Sequence, residues 1–204
     1  MSSTAPGTAV AAFLTTIPKV GALIAAIRLL EVMPAGVDIP LLVGVLAAVS
    51  MTLGNFAAFW QTDVRRLLGW STVSQVGYLL LPVAVAGRSD LAVRSLVLYL
   101  AGYAVTNLTA FAVVAAFPAR RCIADYTGLA ARHPLLAGAL VVGLLGLVGT
   151  PPTVIFFGKL TRFAAAADGG FALLVVIAAV NTVASLFYYL RWLHAYAQLA
   201  MPSR

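Results

Sequence analysis

The sequence predicts an all-α integral membrane protein with six transmembrane helices. Hydrophobic residues make up 62% of the 204 positions and charged residues only 9%, and the mean hydropathy is +1.02. Soluble domains carry roughly 25% charged residues. The apolar runs are long and uninterrupted, not alternating over about ten residues, so they read as helices and not as barrel strands.

Helices are expected over 8–30, 39–60, 69–86, 91–117, 134–166 and 170–198. A first helix of this length spans about 34 Å, enough to cross a bilayer with slight tilt. Pro40 falls near the start of the second helix, where its missing N–H costs nothing. The third span is short, and the amphipathic stretch from Asp63 to Arg66 is expected to supply its first turn. The fifth is too long for one straight span and is expected to break at Pro151-Pro152. The loop 118–133 is the longest connection, and the tail is 199–204. The whole chain, 1–204, reads as a single membrane domain.

No basic segment precedes the first apolar run and no cleavage pattern follows it, so no removable signal peptide is expected. The lone Cys122 lies in a loop and allows no internal disulfide.

A net charge of +7 and a pI near 10.1 do not imply nucleic acid as a partner, because the eleven arginines concentrate at helix ends. Lipid headgroups and positive-inside bias account for them there. Six spans put both termini on one side, with Arg65, Arg66, Arg120, Arg121, Arg132, Arg191 and Arg204. Arg28, Arg88, Arg94 and Arg162 fall on the other. The excess places the termini in the cytoplasm; the chain is expected in the inner (plasma) membrane.

All six acids (Glu31, Asp38, Asp63, Asp90, Asp125 and Asp168) fall in loops or at helix ends. Only Lys19 and Lys159 read as charges well inside helices. Desolvation penalises the charged form of a buried ammonium, so such a lysine can load and release a proton; the bland alternative is snorkelling to the interface. Proline removes the amide that would bond the carbonyl four residues back. Pro151 and Pro152 therefore free the carbonyls of Leu147 and Val148, and Pro18, next to Lys19, frees that of Leu14. Freed carbonyls at mid-membrane can hold water or a cation.

Three more helices carry polar stripes at helical spacing. Ser71, Ser74, Gln75 and Tyr78 share a face of the third. Tyr99, Tyr103 and Asn107 share one on the fourth, and Asn181, Ser185, Tyr188 and Tyr189 one on the sixth. Interhelical hydrogen bonding is the plain reading; facing a lysine, the same stripes would hold a water wire. Gly138, Gly143, Gly146 and Gly149 are expected to let neighbouring helices approach closely. His133 and His194 read as loop and interfacial residues. No metal-ligand cluster, nucleophile with base, phosphate loop or dinucleotide fingerprint appears. No cofactor and no catalytic site for covalent chemistry is expected.

Several stretches carry a family resemblance. They are Val10-Ala-Ala-Phe-Leu-Thr-Thr-Ile-Pro-Lys-Val20, Leu53-Gly-Asn-Phe-Ala-Ala, Gln61-Thr-Asp-Val-Arg-Arg-Leu-Leu-Gly-Trp-Ser71, Leu98 to Ala112, and Gly149-Thr-Pro-Pro-Thr with Phe156-Phe-Gly-Lys159. Over roughly 5–198 the chain resembles subunit N of bacterial NADH-quinone oxidoreductase (complex I), within the antiporter-like superfamily. The resemblance implies two inverted five-helix repeats, each with a broken helix, and a mid-membrane axis of lysines and a glutamate. By that resemblance 8–30 is the helix connecting the repeats and 39–198 the second repeat, with Lys19 and Lys159 on the axis. The glutamate and lysine of the first repeat, and the last helix, have no counterpart in this sequence. Gln75 stands where subunit N usually has a histidine, and glutamine cannot titrate.

The leading expectation is a membrane segment of a proton-translocating subunit in a complex I-like assembly, providing a lysine-based half-channel. Lys159 and Lys19 are the proton-transfer residues. Pro151, Pro152, Pro18, Tyr103, Asn107, Gln75 and Ser185 are candidates for the break and the water wire. Expected partners are the bilayer and other membrane subunits, one of them supplying the first repeat; oxidoreductase chemistry would reside in those partners. The alternatives are a cation/proton antiporter subunit of an Mrp-like assembly and a non-conducting structural fragment of a truncated subunit.

Overall fold

A computed structural model describes residues 5–32 and 38–197. Arg204 and the expected tail lie outside the described residues, as does the side chain of Glu31. The described residues form α1 (Ala5–Val32), α2 (Ile39–Phe59), α3 (Val64–Ala84), α4 (Leu91–Ala116), α5 (Leu129–Arg132), α6 (Pro134–Val148), α7 (Val154–Asp168) and α8 (Ala172–Ala197), with a 3-10 turn at Ile123–Tyr126. Five of these helices have the length and hydropathy to cross a membrane. The pair α6 and α7, of 15 residues each, replaces the single long fifth span, and the expected break falls between them.

Local chemistry sets the helix starts. Asp38 accepts from the Leu41 amide at 3.1 Å and so caps α2, with Pro40 in the first turn. Asp63 accepts from the amides of Arg65 and Arg66 at 2.8 and 3.0 Å. An N-cap carboxylate satisfies donors that the helix itself cannot. α3 accordingly starts at Val64, in the stretch expected to supply its first turn. α1 runs through Pro18 without a break.

α3 is the central helix: 72% of its span is buried, against 33% for α2 and for α8. Residues such as Leu53, Phe56, Val105 and Leu173 present apolar side chains on the outer surface, as a bilayer requires. The loop 118–133 folds back over one end of the bundle. It pairs with the α2–α3 turn through Val64 N to Arg121 O and Ile123 N to Thr62 O, both 2.9 Å, and Tyr126 packs edge-on against Trp192 at 5.4 Å. Arg65 donates to Pro118 O, and Arg191 to Phe59 O and Gln61 O, at this same end.

Two expectations are corrected. Arg162 is not a helix-end arginine: it lies at 0% exposure inside the bundle, because α7 restarts at mid-depth and carries it one turn past Lys159. Among the glycines of the fifth span, Gly143 and Gly146 do face α4, where an added Cβ would press on Ala110 and Thr106. Gly149 ends α6 with φ +80°, a conformation glycine adopts freely. Gly138, however, faces open space and packs against nothing.

Candidate functional site

The site is built at the break. Gly149 closes α6 by donating to Leu145 O and Gly146 O, and the Thr150 amide also reaches Leu145 O. The Pro151-Pro152 peptide is cis. Thr153 then caps α7, accepting from the Phe156 amide at 3.3 Å. The two carbonyls that the prolines leave without helical donors are both taken by side chains. Gln75 Nε2 donates to Leu147 O at 2.9 Å, and Lys159 Nζ donates to Val148 O at 2.7 Å.

Lys159, 3% exposed, reaches back from the second turn of α7, as helical side chains lean towards the N-terminus. Its ammonium also donates to Thr182 Oγ1 at 3.3 Å and lies 4.5 Å from the centre of the Tyr78 ring. Tyr78 hydrogen-bonds Thr182 at 2.9 Å and donates to Ala178 O at 3.0 Å, which fixes that ring on α8. No carboxylate pairs with Lys159 among the described residues.

Lys19 occupies a second position. Its half-buried ammonium donates to Tyr103 Oη at 3.0 Å and Thr72 O at 3.4 Å, and sits 4.6 Å from the Tyr103 ring centre. Tyr103 donates to Thr15 O at 3.1 Å. The accepting carbonyl beside Pro18 is thus that of Thr15, not Leu14. Asn107 donates to Thr15 and Thr16 hydroxyls at 3.1 and 2.9 Å and ties α4 to α1 on this side.

Between the lysines, Tyr99 and Tyr103 stack with centroids 6.4 Å apart. Tyr99 donates to Gln75 Oε1, and Gln75 leads on to the freed Leu147 carbonyl. Tyr103, Tyr99, Gln75 and the break therefore form one polar layer from Lys19 to Lys159. The remaining stripe residues lie elsewhere. Ser71 bonds Tyr189, and Ser74 and Tyr188 both donate to Asn55 Oδ1 at 3.0 Å. Ser185 is buried but donates to Thr182 O of its own helix at 2.7 Å, touching neither lysine. Pro18, Pro151 and Pro152 are themselves exposed and act only through the carbonyls they free.

Sequence reasoning missed three residues. Thr182 lies three positions before Ser185, on the stripe already noted, and so was within reach. Asn55 holds α2 to α8 by donating to Asn181 O and Oδ1, both 2.8 Å. Its signals were its place in an otherwise apolar run and in the resembling stretch Leu53-Gly-Asn-Phe-Ala-Ala. Arg162, at i+3 from Lys159, shares that lysine's face; counting from the helix end hid its depth. Its Nε donates to Gly158 O at 3.0 Å and Nη1 to Tyr78 O, while the guanidinium centre stacks 3.4 Å from the Tyr99 ring centre.

Such an arrangement can exchange a proton between Nζ of a lysine and a water or hydroxyl, with the carbonyls orienting the ammonium as hydrogen-bond acceptors. No group of three or more His, Cys, Asp or Glu residues suited to a metal occurs among the described residues.

Membrane-length helices around a helix broken at mid-depth, with a lysine bonded to the broken end, define a multi-pass membrane protein of the antiporter-like class. The chain belongs to the NADH:quinone oxidoreductase/Mrp antiporter transmembrane family, whose model matches residues 2–185. It is 63% identical over 183 residues to NADH-quinone oxidoreductase subunit N of Mycobacterium sp. (strain JLS), covering 90% of this chain and 39% of that protein. Among solved structures it is similar to a chain of respiratory complex I from Thermus thermophilus with bound aureothin. There the identity is 34% and the TM-score 0.71, over 81% of this chain and 37% of that one. It is also similar to a chain of the Mrp complex from Dietzia sp. DQ12-45-1b, at 27% identity and TM-score 0.72, over 80% and 31%. The chain thus spans about two fifths of the length of the curated relative it matches.

Proposed function

We propose that this chain is a membrane segment of a proton-translocating subunit of an NADH-quinone oxidoreductase (complex I)-like assembly, providing a lysine-based half-channel. The observation that carries the reading is the bond from Lys159 Nζ to Val148 O at 2.7 Å. A proline break supplies an acceptor that no helix amide can use, and a buried ammonium without a carboxylate takes it. Charged groups at such depth are costly and default to functional roles. Lys159 is the proton-loading residue, and Lys19 is its partner along the layer of Tyr103, Tyr99 and Gln75.

In this reading α1 is the helix connecting two repeats and 39–198 is the second repeat. Other membrane subunits, and helices corresponding to the first repeat of the relatives, pack beside it. The end that carries the loop 118–133 faces the cytoplasm of the plasma membrane. Arg65, Arg66, Arg120, Arg121, Arg132 and Arg191 favour this orientation, against Arg28, Arg88 and Arg94 at the other end, once Arg162 is removed from the count.

The test is proton pumping by the assembled complex in inverted membrane vesicles. Lys159→Ala should abolish the contribution of this subunit while the tagged chain still co-purifies with its partners, and Lys19→Ala should impair it. Unchanged pumping in Lys159→Ala would sink the reading and leave a structural role. Likeness to a chain of an Mrp complex supports a second reading as a cation/proton antiporter subunit; sodium-dependent exchange would favour it.

A further inference from the structure

We propose that Arg162 is the residue that keeps sodium and potassium out of the Lys159 site, so that a proton alone is passed there. The inference rests on the proton-transfer reading of Lys159.

The ligands around Lys159 Nζ do not themselves select for a proton. They are the Val148 carbonyl at 2.7 Å, the Thr182 hydroxyl at 3.3 Å and the face of Tyr78 at 4.5 Å. A carbonyl at a broken helix end, a hydroxyl and an aromatic face also suit an alkali cation. Whenever the lysine is neutral or its side chain swings aside, this nest is open to a metal ion of the same charge.

Arg162 stands one turn further along the same face, on the side of the break towards Asp168. It shares Tyr78 with Lys159, its guanidinium centre lying 5.6 Å from that ring and 3.4 Å from the Tyr99 ring. Its bonds to Gly158 O and Tyr78 O hold it in place. A guanidinium keeps its charge where an ammonium can release one. A cation entering the nest therefore meets a fixed positive charge within a helical turn, in a site with little water to screen it. A proton meets the same repulsion when it charges Lys159, but it is held by a covalent N–H bond that outweighs that cost, whereas an alkali ion gains only a carbonyl, a hydroxyl and a ring face. The Nζ–H bond breaks as an O–H bond forms on a neighbouring water, leaving a neutral amine and a protonated water that passes the charge on.

The hydrogen bonds and ring contacts of Arg162 tie α7 to α3 and α4 but do not call for a buried charge. Arg162 lies at 0% exposure, pairs with no carboxylate among the described residues, and its Nη2 is buried without a hydrogen-bond partner. A purely structural residue here would be apolar, since an uncompensated buried charge destabilises the fold.

The experiment measures uptake of radioactive sodium and proton pumping in the same inverted vesicles carrying the complete assembly, with Arg162→Gln, Arg162→Met and Arg162→Lys. Arg162→Gln and Arg162→Met should raise sodium uptake by about tenfold or more, as loss of a nearby like charge at low screening implies, and proton pumping should become inhibitable by sodium. Arg162→Lys, whose buried ammonium can release its charge where the guanidinium does not, should admit more sodium than the parent. Parent-level sodium uptake in an assembled Gln or Met variant overturns the proposal. If neither neutral variant assembles, the parent decides: its pumping should be indifferent to added sodium, and inhibition overturns the proposal. Lys159→Ala in the same vesicles separates the two ideas, because normal pumping there removes the reading of Lys159 itself.

Discussion

Replacing Gln75 by leucine should loosen the break without leaving a hole, since the two side chains are close in volume. Gln75 is 2% exposed and serves two buried partners, the Leu147 carbonyl and the Tyr99 hydroxyl, each in a residue at 0% exposure. Pro151 has no amide with which to recover Leu147 O. A buried polar group left unpaired costs about 1–3 kcal/mol, so two cost about 2–6 kcal/mol. Relaxation of the neighbouring groups towards other partners relieves part of this, which leaves about 2–4 kcal/mol. At roughly 2–4 °C per kcal/mol for a chain of this size, Tm should fall by about 5–15 °C. The assay is thermal unfolding of the detergent-solubilised assembly, followed by size exclusion of a fluorescently tagged chain. Gln75→His keeps a donor and an acceptor and should lose much less. A Gln75→Leu protein that melts within about 2 °C of the parent would show that the amide does not tie α3 to the break.

Two further outcomes concern packing and the loop. Gly54→Val should destabilise the α2–α3 contact by about 1–3 kcal/mol, because even a Cβ there would come within 2.8 Å of Ser74 Cα. Gly69→Ala, inside α3 with nothing within 4 Å, should melt at or slightly above the parent. Asp125 accepts from the amides of Cys122 and Arg121 at 2.8 Å. Those bonds hold its carboxyl below the ordinary 3.8, Cys122 contributing most. The folded loop therefore prefers the ionised form: its stabilisation is present above the ordinary value and fades as pH falls below about 4. Protection of the amides of residues 120–126 against hydrogen exchange, relative to their intrinsic rates at each pH, should fall in that window, and Asp125→Asn should remove that fall; a loop indifferent to both would contradict it.

Much of this molecule was legible in the sequence because its causes are local. A proline lacks an amide wherever it sits, so the carbonyls of Leu147 and Val148 were bound to need other donors. The break itself, the start of the third span in the stretch from Asp63 to Arg66, and the shared faces of Tyr78 and of Tyr99 with Tyr103 follow from spacing and side-chain chemistry in the same way. Pro18 marks the limit. It too lacks an amide, but α1 runs on past it, and the tyrosine beside it bonds Thr15 O, one residue along from the carbonyl it frees.

Only the tertiary structure decided which donor met which acceptor. Periodicity fixes the face on which Gln75 or Ser185 lies but not the helix that face meets, so Gln75 reaches the break while Ser185 bonds its own helix. It gave Tyr103 to Lys19, and Tyr78 and Thr182 to Lys159, and so divided the lysines between two clusters joined by Tyr99. It also set the depth of Arg162. Distance along a chain from a helix end equals depth in a bilayer only for a helix that starts at the surface, and α7 starts in the middle.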